Sequence, residues 1–230
     1  RIDRSSTTLM ISDLFVIAEQ LGCVWKLEKL CRNKALKAAV EKPEKVKLFL
    51  NVDGNIIQDK AFIQGFTNRK AMKAGVPASD IVFEITERSD IENYQILQQI
   101  MKHYADQGYE IALDDVGAGH SGLNRVVNTT PDYLKADIEL VRDIYKYKKK
   151  EIMMKLLLDY CNATGAILIA EGIETAQELE CLHSLGVHYG QGFFLGKPER
   201  AFGNISAESE EILERLNGRK NILFLDISGK

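Results

Sequence analysis

Residues 110–119 read EIALDDVGAG: a short apolar run, two consecutive aspartates, then a glycine-rich turn. An uninterrupted run such as Ile111-Ala112-Leu113 suits a strand buried on both faces, and this one stops on charge. The same design recurs on either side. Upstream lie VKLFLN (46–51) and IVFEIT (81–86); downstream lie YLKAD (133–137), AILIAE (166–171) and VHYGQG (187–192). Six strand-like segments thus end, in order, on Asn51, Glu84, Asp114-Asp115, Lys135, Glu171 and Gln191.

Helical patterning fills the intervals. Ile11, Leu14, Phe15, Ala18 and Leu21 recur with a period near 3.6 over 11–21, and 27–40 continues in the same style. Helices are also predicted over 60–74, 91–107, 151–164 and 175–185, closing at Gly75, Gly108, Gly165 and Gly186. A charged helix over 206–216 and the apolar run 222–225 follow Pro198. Repeated strand–helix order with short connections predicts a parallel sheet, either doubly wound or closed into a barrel.

Composition sets the outer bounds. The 230 residues suit one large α/β domain. A net charge of −3 gives no footing for duplex nucleic acid, which is bound by counterion release, although a small anion remains compatible with a local cationic device. Cys23, Cys31, Cys161 and Cys181 form no CxxC pair, so they read as free thiols in a reducing, cytoplasmic setting. No apolar run approaches the roughly 20 residues of a membrane span.

The strand ends carry the chemistry. In a parallel barrel all of them open onto one face, where such enzymes work. An Asp or Asn after a strand also reads as the N-cap of the next helix, but Glu84 and Glu171 are poor caps. Lys135 also reads as a rim lysine that extends its amine to water. Carboxylates gathered this closely repel one another unless some hold protons or a cation neutralises them. Hard oxygen donors suit Mg²⁺ or Mn²⁺ rather than zinc, and a metal pair about 4 Å apart is a common device for cleaving phosphodiesters. The glycines of 117–122 lack the dinucleotide context that a GxGxxG site requires.

FEITE (83–87), DDVGAG (114–119), LKAD (134–137), AEGIE (170–174) and QGFFLGKP (191–198), with Asn51 on the preceding strand, resemble in order and spacing the motifs of EAL domains. The resemblance implies a modified (β/α)₈ TIM-type barrel that hydrolyses cyclic di-GMP to linear pGpG with Mg²⁺ or Mn²⁺ in bacterial second-messenger signalling. It implies metal-ligand positions at Asn51, Glu84, Asp114, Asp115 and Glu171. Lys135 takes the place of a lysine beside the attacking water, and Glu87 that of a glutamate anchoring the loop after Asp115. Arg1, Gln191 and Asp137 fall on the substrate side, and Glu174 in the outer shell. It also implies a homodimer, through the loop after Asp115 and the helix after Lys135. A cyclic di-GMP receptor without catalysis is the alternative reading.

The sequence departs from the family pattern at Val116, His120 and Gly54, none of which removes a ligand. Six strands stand where the barrel has eight, so the first two strands and the motif glutamate are expected to lie upstream of Arg1. Residues 1–200 are thereby expected to form the barrel, incomplete at its N-terminus, and 201–230 a C-terminal helix and tail.

Overall fold

The computed structural model describes residues 11–85, 94–117, 122–198 and 202–217. Arg1, Glu87, His120 and the apolar run 222–225 therefore lie outside the described residues. The strands are β1 (Leu48–Val52), β2 (Ile81–Ile85), β3 (Glu110–Val116), β4 (Tyr133–Ala136), β5 (Ile167–Ala170) and β6 (Tyr189–Gly190). They form one sheet in the order β1-β2-β3-β4-β5-β6, every pair parallel. Among the described residues β1 pairs only with β2 and β6 only with β5, so Asn51 stands on an edge strand among them.

The helices are α1 (Ile11–Gln20), α2 (Val24–Ala38), α3 (Phe66–Ala74), α4 (Tyr94–Ala105), α5 (Gly122–Asn128), α6 (Ile138–Val141), α7 (Lys148–Thr164), α8 (Ala176–Ser184) and α9 (Ala207–Asn217). Strand alternation divides the interior into two clusters. Leu48, Leu50, Ile81, Phe83, Ile111, Leu113, Leu134 and Leu168 face the helices and share the main core with Leu97, Ile100, Leu157 and Leu179. Phe49, Val82, Ala112, Tyr133 and Ile169 form a smaller cluster on the opposite face. Gly165 ends α7 with φ 81°, a left-handed conformation in which a side chain would be strained, and the chain turns directly into β5. The C-terminal α9 belongs to the main core too, burying Ile212 and Leu213.

Three segments depart from the sequence-based reading, each for a local reason. Residues 60–65 are not helical. Asp59 accepts the amide hydrogens of Ala61 (2.8 Å) and Trp25 (3.3 Å), holding the chain in turns until Gly65, at φ 68°, starts α3. In the opposite direction, α2 begins early, at Val24, because Trp25 is buried against Phe62 and Phe66. Beyond β4, residues 138–147 form only the short α6 and a 3₁₀ turn (Ile144–Lys146). In the segment after Lys135, through which a dimer is expected, Val141 and Ile144 are fully buried and Leu140 packs against the core. A short helix must bury nearly all of its apolar residues to hold its place, and here they point inward.

Candidate active site

Register brings the polar strand ends together. Asn51 lies level with Glu84, on the same sheet face as Phe49 and Val82. Asp114 follows Ala112 by two residues, Lys135 follows Tyr133, Glu171 follows Ile169 and Gln191 follows Tyr189. Period-2 alternation therefore puts all of them in the layer directly above the small apolar cluster. Glu84, Asp114, Lys135 and Glu171 are buried, whereas Asn51, on the edge strand, is exposed.

Lys135 is the hub. Its Nζ lies 2.5 Å from Glu84 Oε1, 2.7 Å from Asp114 Oδ1 and 2.7 Å from Glu171 Oε1, and its side chain has 0% exposure. Burial works against its charge, but the carboxylates of Glu84, Asp114 and Glu171 outweigh that and hold the ammonium well above the ordinary lysine range. The rim-lysine alternative is thus excluded: the amine turns inward. The Nε2 of Gln191 donates to Glu171 Oε1, fixing that carboxylate from the far side.

Asp115 joins the cluster through a backbone irregularity. Adjacent strand residues normally face opposite sides, yet ligand atoms of Asp114, Asp115 and Glu171 all lie within 4.8 Å of one another. The β3–β4 register shifts between Leu113 and Val116, and Asp115 sits at φ 56°. That bulge re-aims the second aspartate, and Asp is one of the few side chains that tolerates the left-handed region. With Asp115 included, the described residues of the cluster hold four carboxylates (Glu84, Asp114, Asp115 and Glu171) and the Lys135 ammonium, an excess of negative charge built from hard oxygen donors. Such a donor set fits Mg²⁺ or Mn²⁺.

The remaining candidates sit at the margin. Asp137 caps α6, its Oδ1 accepting the Glu139 amide at 2.7 Å, so the cap reading describes the present use of its carboxylate. Glu174 is exposed, its Oε2 4.0 Å from Arg142. Sequence reasoning missed Glu178. This buried carboxylate accepts the amides of Asp143 (2.8 Å), Glu174 (2.9 Å) and Thr175 (3.0 Å), tying the loop after β4 to the loop after β5. Its signal was present as Thr175-Ala176-Gln177-Glu178, a capping box. A Cβ on Gly192 would come within 2.1 Å of the Ile173 carbonyl oxygen, so only glycine lets the chain beyond β6 pass this close to the loop after Glu171.

Comparison with known proteins agrees with this geometry. The EAL domain family matches residues 1–198. The cyclic di-GMP phosphodiesterase PdeA of Borreliella burgdorferi is 26% identical over 191 residues, covering 82% of this chain and 28% of that protein. PdeB of Shewanella oneidensis, also a cyclic di-GMP phosphodiesterase, is 25% identical over 150 residues, covering 65% of this chain and 17% of that protein. The chain thus spans less than a third of the length of these curated relatives. Among solved structures, the calcium/cyclic di-GMP complex of Klebsiella pneumoniae BlrP1 superposes with a TM-score of 0.77 at 28% identity. It covers 85% of this chain and 50% of that one. A standalone EAL protein from Vibrio cholerae O395 bound to cyclic di-GMP gives 0.75 at 25% identity, covering 85% and 84%.

Proposed function

The chain belongs to the EAL domain family, and from that premise we propose that it hydrolyses cyclic di-GMP to linear pGpG with Mg²⁺ or Mn²⁺. The observation that carries this reading is the buried ammonium of Lys135 among Glu84, Asp114 and Glu171, with Asp115 turned toward the same place. Asn51, Glu84, Asp114, Asp115 and Glu171 would hold the metal. When bound, it would supply a nucleophilic hydroxide near neutral pH and offset the charge of the phosphodiester. That offset is required, because the excess of carboxylates would otherwise repel an anionic substrate.

The chain's own residues divide the remaining work. Lys135, its ammonium held by the carboxylates of Glu84, Asp114 and Glu171, serves as a fixed positive charge and donor at the place where negative charge develops. Gln191 holds Glu171 in one orientation. Glu178 keeps the two loops beside Lys135 and Glu171 in register. Glu87 and Arg1 are proposed for the roles given above. The direct test is turnover of cyclic di-GMP in Mn²⁺ and in Ca²⁺, measured on the intact protein. Hydrolysis is expected in Mn²⁺, with binding but no turnover in Ca²⁺, whose looser coordination suits an in-line attack poorly. Binding without turnover in either metal would leave a receptor and sink the enzymatic reading.

A homodimer is also proposed, through a face that does not include the buried Val141 and Ile144. On α7, the adjacent Ile152 and Met153 and, one turn on, Leu156 are exposed, and Val127 of α5 is exposed as well. Such a patch is more apolar than a free helix face requires. Light scattering is expected to show a dimer, and Leu156→Glu a monomer. A wild-type monomer at high micromolar concentration would remove the dimer.

A further inference from the structure

A second buried charge pair lies in the helix layer, outside the site described above. Glu28 and Arg32 are one turn apart on α2, each 2% exposed, and form an ion pair between Oε2 and Nη2. Arg32 extends into three other elements. Its Nη1 donates to Thr67 Oγ1 of α3 at 3.1 Å and its Nη2 to the Tyr104 hydroxyl of α4 at 3.1 Å. Its guanidinium carbon stands 5.0 Å from the centre of the Phe83 ring, on the residue that precedes Glu84. The other oxygen of Glu28 accepts the backbone amide of Asp53 at 2.6 Å. A few residues further on, the Trp25 amide donates to Asp59 Oδ2. Helix α2 therefore grips the loop after β1 at its start and at its middle.

A buried ion pair is a weak source of stability, since well-packed apolar residues of the same volume commonly do as well or better. Direction is what the pair adds: a carboxylate oxygen locked by a five-donor guanidinium, aimed at one amide hydrogen. That amide is two residues beyond Asn51. We infer that Glu28 is a positioning residue for the candidate metal site: held by Arg32, its carboxylate fixes the backbone at Asp53 and thereby the place of Asn51 beside Glu84. The inference rests on the reading that Asn51 ligates metal.

The test uses the full chain and measures Mn²⁺ binding by electron paramagnetic resonance, independently of hydrolysis. The double variant Glu28→Leu/Arg32→Met removes charge and acceptor together while keeping the site apolar and filled. It is expected to fold and to weaken Mn²⁺ binding about tenfold or more, the usual cost of losing an outer-shell partner. Glu28→Gln/Arg32→Met restores an amide carbonyl that accepts the same N–H and is expected to recover most of that loss. Adding Asn51→Ala to the apolar pair is expected to cost little more than Asn51→Ala alone, because both changes act on one ligand. Should the apolar pair fail to fold, Arg32→Lys, which keeps the charge but loses the planar fork, serves instead, with an expected weakening of about threefold or more. A folded variant that binds Mn²⁺ like wild type overturns the inference, as do losses that simply multiply with that of Asn51→Ala. A wild-type chain that binds Mn²⁺ but leaves cyclic di-GMP intact defeats the hydrolytic reading alone, and the Mn²⁺ comparison still decides the role of Glu28. A wild-type chain that binds no Mn²⁺ overturns both.

Discussion

Lys135→Met is expected to lower cyclic di-GMP hydrolysis at least 100-fold while leaving Mn²⁺ bound. The substitution removes the Lys135 ammonium from a layer in which Glu84, Asp114 and Glu171 all point at it. Met fills nearly the same volume, so the small apolar cluster beneath keeps its packing. What goes is the compensating charge. Breaking a buried pair by removing one partner costs about 3–5 kcal/mol, because the charge left behind is poorly solvated. Here the stranded carboxylates have two ways out: protonation, or capture of a divalent cation. The variant should therefore melt below wild type without metal, and Mn²⁺ should raise its melting temperature more than it raises that of wild type. The rate should stay low even at saturating Mn²⁺, since a fixed donor in a dry site contributes on the order of 10²–10³ to catalysis. Calorimetry with and without Mn²⁺, alongside turnover, checks both halves. A variant with more than a tenth of wild-type rate would place Lys135 outside the catalytic machinery.

Asp114→Asn is expected to abolish turnover through the opposite failure, loss of metal. The amide is the same size, and Lys135 keeps Glu84 and Glu171, so the sheet should persist with an unchanged circular dichroism spectrum. Asn still offers one carbonyl oxygen but no charge, and the ligand atoms it shares with Asp115 and Glu171 lose one of three carboxylates. Losing such a partner costs 10–100-fold or more in metal affinity or rate. Mn²⁺ titration monitored by electron paramagnetic resonance, with turnover measured beside it, separates this variant from Lys135→Met. One is expected to lose the metal, the other to keep it without product. Residual activity above about a tenth of wild type would count against ligation by Asp114.

The amino-acid sequence by itself determined the strands and what stands at their ends. Runs such as Ile167-Leu168-Ile169-Ala170 are apolar enough to be buried on both faces, and helices closing on glycine fix parallel order. Parallel order then sends every strand end to one face. Those signals are local, so a single chain displays them. Glu178 was legible as well, in the spacing of a capping box. Three decisions belonged to the tertiary structure alone. Whether Lys135 reached outward to water or inward to carboxylates depended on neighbours 21 to 51 residues away, and their Coulomb attraction settled it against the cost of burial. Asp115 shares a site with Asp114 only because pairing with β4 slips between Leu113 and Val116 and tips its backbone to φ 56°. On α2, Glu28 and Arg32 look like an ordinary surface i,i+4 pair, worth a few tenths of a kcal/mol. They are buried because Trp25, Phe66, Phe83 and Tyr104, drawn from four separate elements, close around them. Periodicity is written in neighbouring residues, whereas the depth at which a charge ends up depends on which distant surfaces fold over it.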